Sequence, residues 1–143
     1  MSKQIVLISC VSKKQRQKCM AKDLYISSLF KKSWAYANKL NPDAIYILSA
    51  KHYLLHPETP IKPYELTLNK WKVAKRKTWT EEVLKQMKAE GLDIENDKFV
   101  ILAGKKYYQY LIDNKNGIKN YTLPLQGKGG IGCILKYLTE QTR

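Results

Sequence analysis

The chain has 143 residues, 44% of them hydrophobic, enough to bury one sizeable core without disulfide or metal staples and too few for two ordinary domains. With 27% charged residues, 7 Gly and 5 Pro, a disordered or collagen-like chain is excluded, and no apolar stretch reaches the roughly 18 residues of a membrane span. Lys and Arg number 26 against 12 Asp and Glu, a formal net charge of +14, so the expected partner is anionic: nucleic acid first, DNA ahead of RNA, and no membrane.

Residues 4–9 form a nearly continuous apolar run rich in β-branched side chains and read as a buried strand, too short for the apolar region of a signal peptide. Asp23 is expected to cap a helix, because Ile26, Leu29, Phe30, Ser33, Trp34, Ala37 and Leu40 recur at helical spacing before Asn41-Pro42 stops it. Residues 44–48 predict a second buried strand. A long charged helix is expected over residues 69–90, broken near Thr78-Trp79-Thr80 and ended by Gly91. A third buried strand covers residues 99–102, a short helix residues 105–112, a fourth extended segment residues 118–125 and a last helix residues 131–139. Strands alternating with helices predict a single α/β domain over residues 1–143, a three-layer sandwich with a mostly parallel central sheet.

In such sheets ligands bind beyond the carboxyl ends of the strands. Each expected strand exit carries lysine: Lys13 and Lys14, Lys51, Lys105 and Lys106, and Lys128. The charge is concentrated early, with 15 basic and 4 acidic residues through Arg76 against 11 and 8 after it. Nearly all of it is lysine, which suits phosphate contact better than the reading of base edges. The 3 cysteines, Cys10, Cys19 and Cys133, have unrelated spacings, so neither a disulfide framework nor a zinc site is expected. Reduced thiols in the cytosol, with no metal and no cofactor, complete the expectation.

Three stretches carry groups capable of chemistry. At the first exit, Ser9, Cys10, Ser12, Lys13 and Lys14 combine small donors with two ammonium groups, a phosphate cradle or simply a solvated loop. The second exit is richer: Ser49, Lys51, His52, Tyr53, Tyr64 and Glu65 fall in a span stiffened by Pro57, Pro60 and Pro63. His52 titrates near neutrality, Glu65 is a candidate base, and Tyr53 or Tyr64 offers a stacking surface for a nucleobase. The competing reading is that Leu54, Leu55, Ile61 and Tyr64 merely pin the loop to the core. Third, Gly127 and Lys128 lead a glycine-rich entry to the last helix, either an anion site or a flexible turn. Tyr107, Tyr108 and Tyr110, interleaved with lysines, are expected to be the buried stripe of a short helix.

The residues Leu7-Ile8-Ser9-Cys10-Val11-Ser12-Lys13-Lys14, Asp23-Leu24-Tyr25, Ser28-Leu29-Phe30, Ser49-Ala50-Lys51-His52-x-Leu54-Leu55 and Pro63-Tyr64-Glu65-Leu66-Thr67-Leu68 resemble an uncharacterised bacterial and phage domain family. That family is similar to the peroxide-stress protein YaaA and to the glycosylase-like domain of archaeosine synthase. The resemblance spans nearly the whole chain and implies a uracil-DNA-glycosylase-like fold in a nucleic-acid or nucleobase context. Tyr53 stands where the family usually has Gly, and Gly129-Gly130-Ile131-Gly132 is looser than the usual single-glycine entry.

Two functions fit. In the first, an enzyme acts on a nucleobase or its N-glycosidic bond, with Lys51 and His52 stabilising or protonating the base. Glu65 or Asp23 then activates water or the sugar, and Ser9, Cys10, Ser12, Lys13, Lys14, Tyr25, Ser49, Tyr64, Gly127 and Lys128 hold the nucleic acid. A Lys51 Schiff base with the sugar is the variant mechanism. In the second, the same rim is a non-enzymatic DNA-binding module. A small-nucleotide enzyme using the glycine-rich segment is a third reading.

Overall fold

The computed structural model describes residues 2–9, 14–64 and 66–143. Strand β1 (Gln4–Ser9) lies at the centre of a five-stranded sheet, and its apolar residues Ile5, Val6, Leu7 and Ile8 are all buried. Burial on both faces explains why it reads as an unbroken apolar run. Parallel neighbours β3 (Ala44–Ser49) and β6 (Lys98–Leu102) flank it, with Ser9 opposite Leu48 and Ile8 opposite Leu102. Beyond β3 lies the antiparallel β4 (Tyr53–Leu55), and beyond β6 the parallel β7 (Tyr121–Thr122). A separate two-stranded ribbon pairs β2 (Cys19–Met20) with β5 (Pro60–Ile61).

Helix α2 (Ser28–Lys39) packs on β1 and on α5 (Ile131–Gln141), whereas α3 (Val73–Ala89) packs on β4 and on α4 (Lys105–Ile112). The chain leaves β1 for β3 on one side and then crosses to β6 on the other. Right-handed crossovers in opposite directions put their helices on opposite faces, which yields the expected three layers. Among the described residues, no helix is long and apolar enough to cross a membrane.

The amino-terminal end of the sheet is held by aspartates. Asp43 accepts from the Gln4 amide at 2.7 Å, and the Asp43 amide donates to the Gln4 carbonyl at 2.9 Å. Asp97, 3% exposed, accepts from the amides of Lys3 and Asp93, both at 2.8 Å. Each aspartate immediately precedes a neighbour of β1 and grips the start of that strand, so the parallel register is fixed by side-chain acceptors as well as by the ladder.

Several expectations change. The cap of α2 is Ser27, whose hydroxyl accepts from the Phe30 amide at 3.1 Å; Asp23 sits inside a separate four-residue helix, α1 (Ala21–Leu24), and Tyr25 beyond it is extended. The long charged helix starts at Val73, after a 3₁₀ turn at Leu68–Lys70, and runs unbroken through Thr78-Trp79-Thr80. Trp79 and Thr80 are buried there, and packing outweighs the weak helix propensity of threonine. Only Tyr121–Thr122 of the fourth extended segment pairs as a strand. The β3–β4 hairpin was not foreseen. Tyr53, its first β4 residue, has φ 63°, a left-handed conformation that favours glycine.

Candidate functional site at the carboxyl rim

Ser49 ends β3 with its side chain fully buried, and a buried hydroxyl must find partners. It has two: its oxygen accepts from the His52 amide at 3.0 Å and lies 2.7 Å from the Tyr64 hydroxyl. Tyr64 in turn lies 2.6 Å from the hydroxyl of Tyr25. The result is a string of three hydroxyls, each able both to donate and to accept, so its polarity can reverse. Beneath it, the Trp79 indole donates to the Ser49 carbonyl at 3.0 Å and meets the Tyr107 ring edge-on at 5.8 Å, locking the exit of β3 to α3 and α4.

Charge is added above the string. The Lys14 ammonium lies 4.7 Å from the centre of the Tyr64 ring and 5.7 Å from that of Tyr25, and the Lys51 ammonium lies 5.9 Å from Tyr64. Lys14 is brought there by its bridge to Tyr25, and Lys51 by the β3–β4 turn. Two strand exits thus converge on one aromatic ring. Lys51 is exposed and has no ion pair among the described residues, so no carboxylate there neutralises its charge.

The His52 ring packs edge-on against Tyr64 at 5.4 Å, and its Nε2 is enclosed with no hydrogen-bond partner among the described residues. Burial first, and the neighbouring Lys51 ammonium second, hold its pKa below the ordinary value of 6.5. At neutral pH His52 is therefore a neutral hydrogen-bonding group, and Lys51 carries the positive charge.

A cavity of about 200 Å³ opens beside this cluster at the seam of β1 and β6. This seam is where successive crossovers diverge, the place where α/β sheets leave room for ligands. Ser9, Phe30, Ser33, Leu102, Tyr108 and Gln126 are among its walls. Phe30 also touches Tyr25, with ring centres 5.1 Å apart, so one side chain separates the cavity from the hydroxyl string.

Of the expected site residues, Lys14, Tyr25, Ser49, Lys51, His52 and Tyr64 come together, and Ser9 joins them through the cavity. Cys10, Ser12, Lys13 and Glu65 lie outside the described residues. Asp23 is exposed on α1 and makes no hydrogen bond or ion pair with the cluster; its charge instead helps raise the pKa of Cys19, after burial. Lys128 is drawn to α5, its ammonium 4.3 Å from the Tyr137 ring, and Gly127 is an exposed turn residue with φ 79°. Tyr107 and Tyr108 are buried as expected, while Tyr110 stacks beneath Arg76 and Lys77. The cavity residues Phe30, Ser33, Tyr108 and Gln126 carried no sequence signal as a group. Among the described residues, no cluster of three or more His, Cys, Asp or Glu is placed to hold a metal ion.

No curated protein and no solved structure matches the chain. A family model does match, over residues 5–140, and it places the chain in DUF6884, a family of unknown function to which the protein therefore belongs.

Proposed function

We propose that the carboxyl rim binds nucleic acid, DNA ahead of RNA, and that the protein acts there as a glycosylase-like enzyme on a nucleobase. The observation that carries this reading is the convergence of the Lys14 and Lys51 ammonium groups, from two strand exits, over the Tyr64 ring. Phosphate contact and a hydroxyl string then lie within one site, with the Tyr64 ring buried beneath the lysines. The relationship to YaaA, which rests on the block from Ser49 to Leu66, and that to the archaeosine synthase domain, which rests on Cys10-x-Ser12-Lys13-Lys14, belong to the same proposal, as does the uracil-DNA-glycosylase-like fold.

In this scheme the bond from sugar carbon to base nitrogen breaks with its electron pair leaving on the base, and water adds to the sugar carbon. Lys51 offsets the negative charge growing on the base. Neutral His52 offers a hydrogen bond, and the Tyr25, Tyr64 and Ser49 hydroxyls relay the proton that the departing base takes up. Asp23 has no place in the step, since it stands outside the cluster.

The test incubates the protein with single- and double-stranded DNA, including hypermodified DNA, and separates free base chromatographically. Release of base that falls about a hundredfold or more in Lys51→Ala is the expected result, the low end for loss of a positioned charge. Salt-dependent binding without base release would establish instead the non-enzymatic DNA-binding module, which the exposure of Lys51 also fits. Binding indifferent to salt would remove both.

A further inference from the structure

We propose that the cavity at the β1–β6 seam receives a single flat heteroaromatic ring, one nucleobase turned out of its strand, while the attached sugar and phosphates stay outside on the lysine rim. The inference rests on the nucleic-acid reading above and names the part of the ligand that the rim does not hold.

Size comes first. A cavity of about 200 Å³ has room for one ring system. The lining comes second. Leu29, Phe30, Leu102, Tyr108, Leu125 and Ile134 from five separate parts of the fold give apolar and aromatic walls, as a flat ring with π-faces requires. Polar groups are few: Ser9, Ser33, Lys105 and the exposed amide of Gln126. An amide that both donates and accepts can read the edge of a base, and a lone apolar ligand would leave it unused.

Position comes third and selects a base over other small aromatic ligands. Phe30 is shared by the cavity and the Tyr25–Tyr64 string, and Ser9 lines the cavity from the strand whose neighbour ends in Ser49. A ring seated on Phe30 would therefore lie one side chain away from Tyr25 and the hydroxyl string that the rim lysines cover. Extrusion costs a few kcal/mol in a duplex and less in a single strand or at a mismatch. Unpaired bases are accordingly the preferred guests.

The experiment measures affinity by fluorescence anisotropy for a single-stranded oligonucleotide carrying either a central base or an abasic position, across a salt series. The intact strand should bind about tenfold more tightly than the abasic one, within the range for one stacked base. Leu125→Trp, which fills the cavity from a loop, should bring the intact strand down to the abasic affinity. Gln126→Ala, an exposed substitution that leaves the fold alone, should alter the ranking among oligonucleotides differing only at the central base. Circular dichroism melts of both variants identify any loss of folding. Equal affinity for intact and abasic strands, unchanged by either variant while salt dependence persists, would overturn the cavity proposal and leave the rim reading standing. Loss of all salt-dependent binding, with free bases still bound and displaced by Leu125→Trp, would overturn the rim reading and with it the assignment of a strand-borne base.

Discussion

The two ends of the parallel sheet are built from opposite chemistry. At the amino-terminal end, Asp43 and Asp97 are consumed by backbone amides, and the charge of each is matched by donors at 2.7 to 2.8 Å. At the carboxyl end, lysines stand over aromatic rings, His52 Nε2 has no partner among the described residues, and a cavity is left between the strands. One end fixes register; the other leaves interactions unspent. The rim lysines belong to a chain with a formal net charge of +14, while Asp43 and Asp97 are engaged by amides at the opposite end.

The comparison is broken most severely at Asp97. Asp97→Ala strands two amides in a nearly dry site and should cost about 3 kcal/mol or more, read from urea unfolding; Asp97→Asn should recover part of it. The proposed nucleic-acid binding at neutral pH should be unaffected at temperatures where the variant is folded. Next is Tyr64→Phe, which leaves the Ser49 and Tyr25 hydroxyls each one bond short and should cost about 1 to 3 kcal/mol. A loss in stability near that of Asp97→Ala would mean that the rim, too, is chiefly a structural clamp.

The double variant Lys14→Ala, Lys51→Ala should cost about 1 to 2 kcal/mol in unfolding, because Lys14 is half-buried and both ammonium groups stand over the Tyr64 ring. It should flatten the dependence of log affinity on log salt by roughly 0.7 per lysine on single strands or 0.9 on duplex. The smallest effect concerns His52. Its folded pKa is depressed, so the unfolded chain takes up a proton below 6.5 that the folded chain resists. His52 thus contributes stability that is complete above 6.5 and declines as pH falls through that value. Thermal melts of the parent against His52→Gln should diverge on the acid side and run parallel above about pH 7.5.

The central strands were legible because β1, β3 and β6 are covered on both faces and must be apolar throughout. The cap of α2 was misassigned because Asp23 and Ser27 both precede the apolar repeat, and only the extended backbone at Tyr25 separates them. The β4 hairpin gave no turn signal: its left-handed position holds Tyr53, where glycine would have announced it. Lysines at the strand exits were visible, but not that Lys14 and Lys51 meet over Tyr64, since that depends on the bridge between Lys14 and Tyr25. The cavity was invisible for a plainer reason. Phe30, Leu102, Tyr108 and Leu125 are ordinary core residues when taken singly, and only the crossover topology leaves space between them.

The outermost strands of the sheet are very short, β4 with three residues and β7 with two. Neither border offers a long row of open amides and carbonyls, so neither is a template on which another chain could continue the ladder. At the high local concentration that the proposed binding along a polyanion would create, fibre-like backbone association is thereby disfavoured, and contacts between neighbouring copies would fall to side chains.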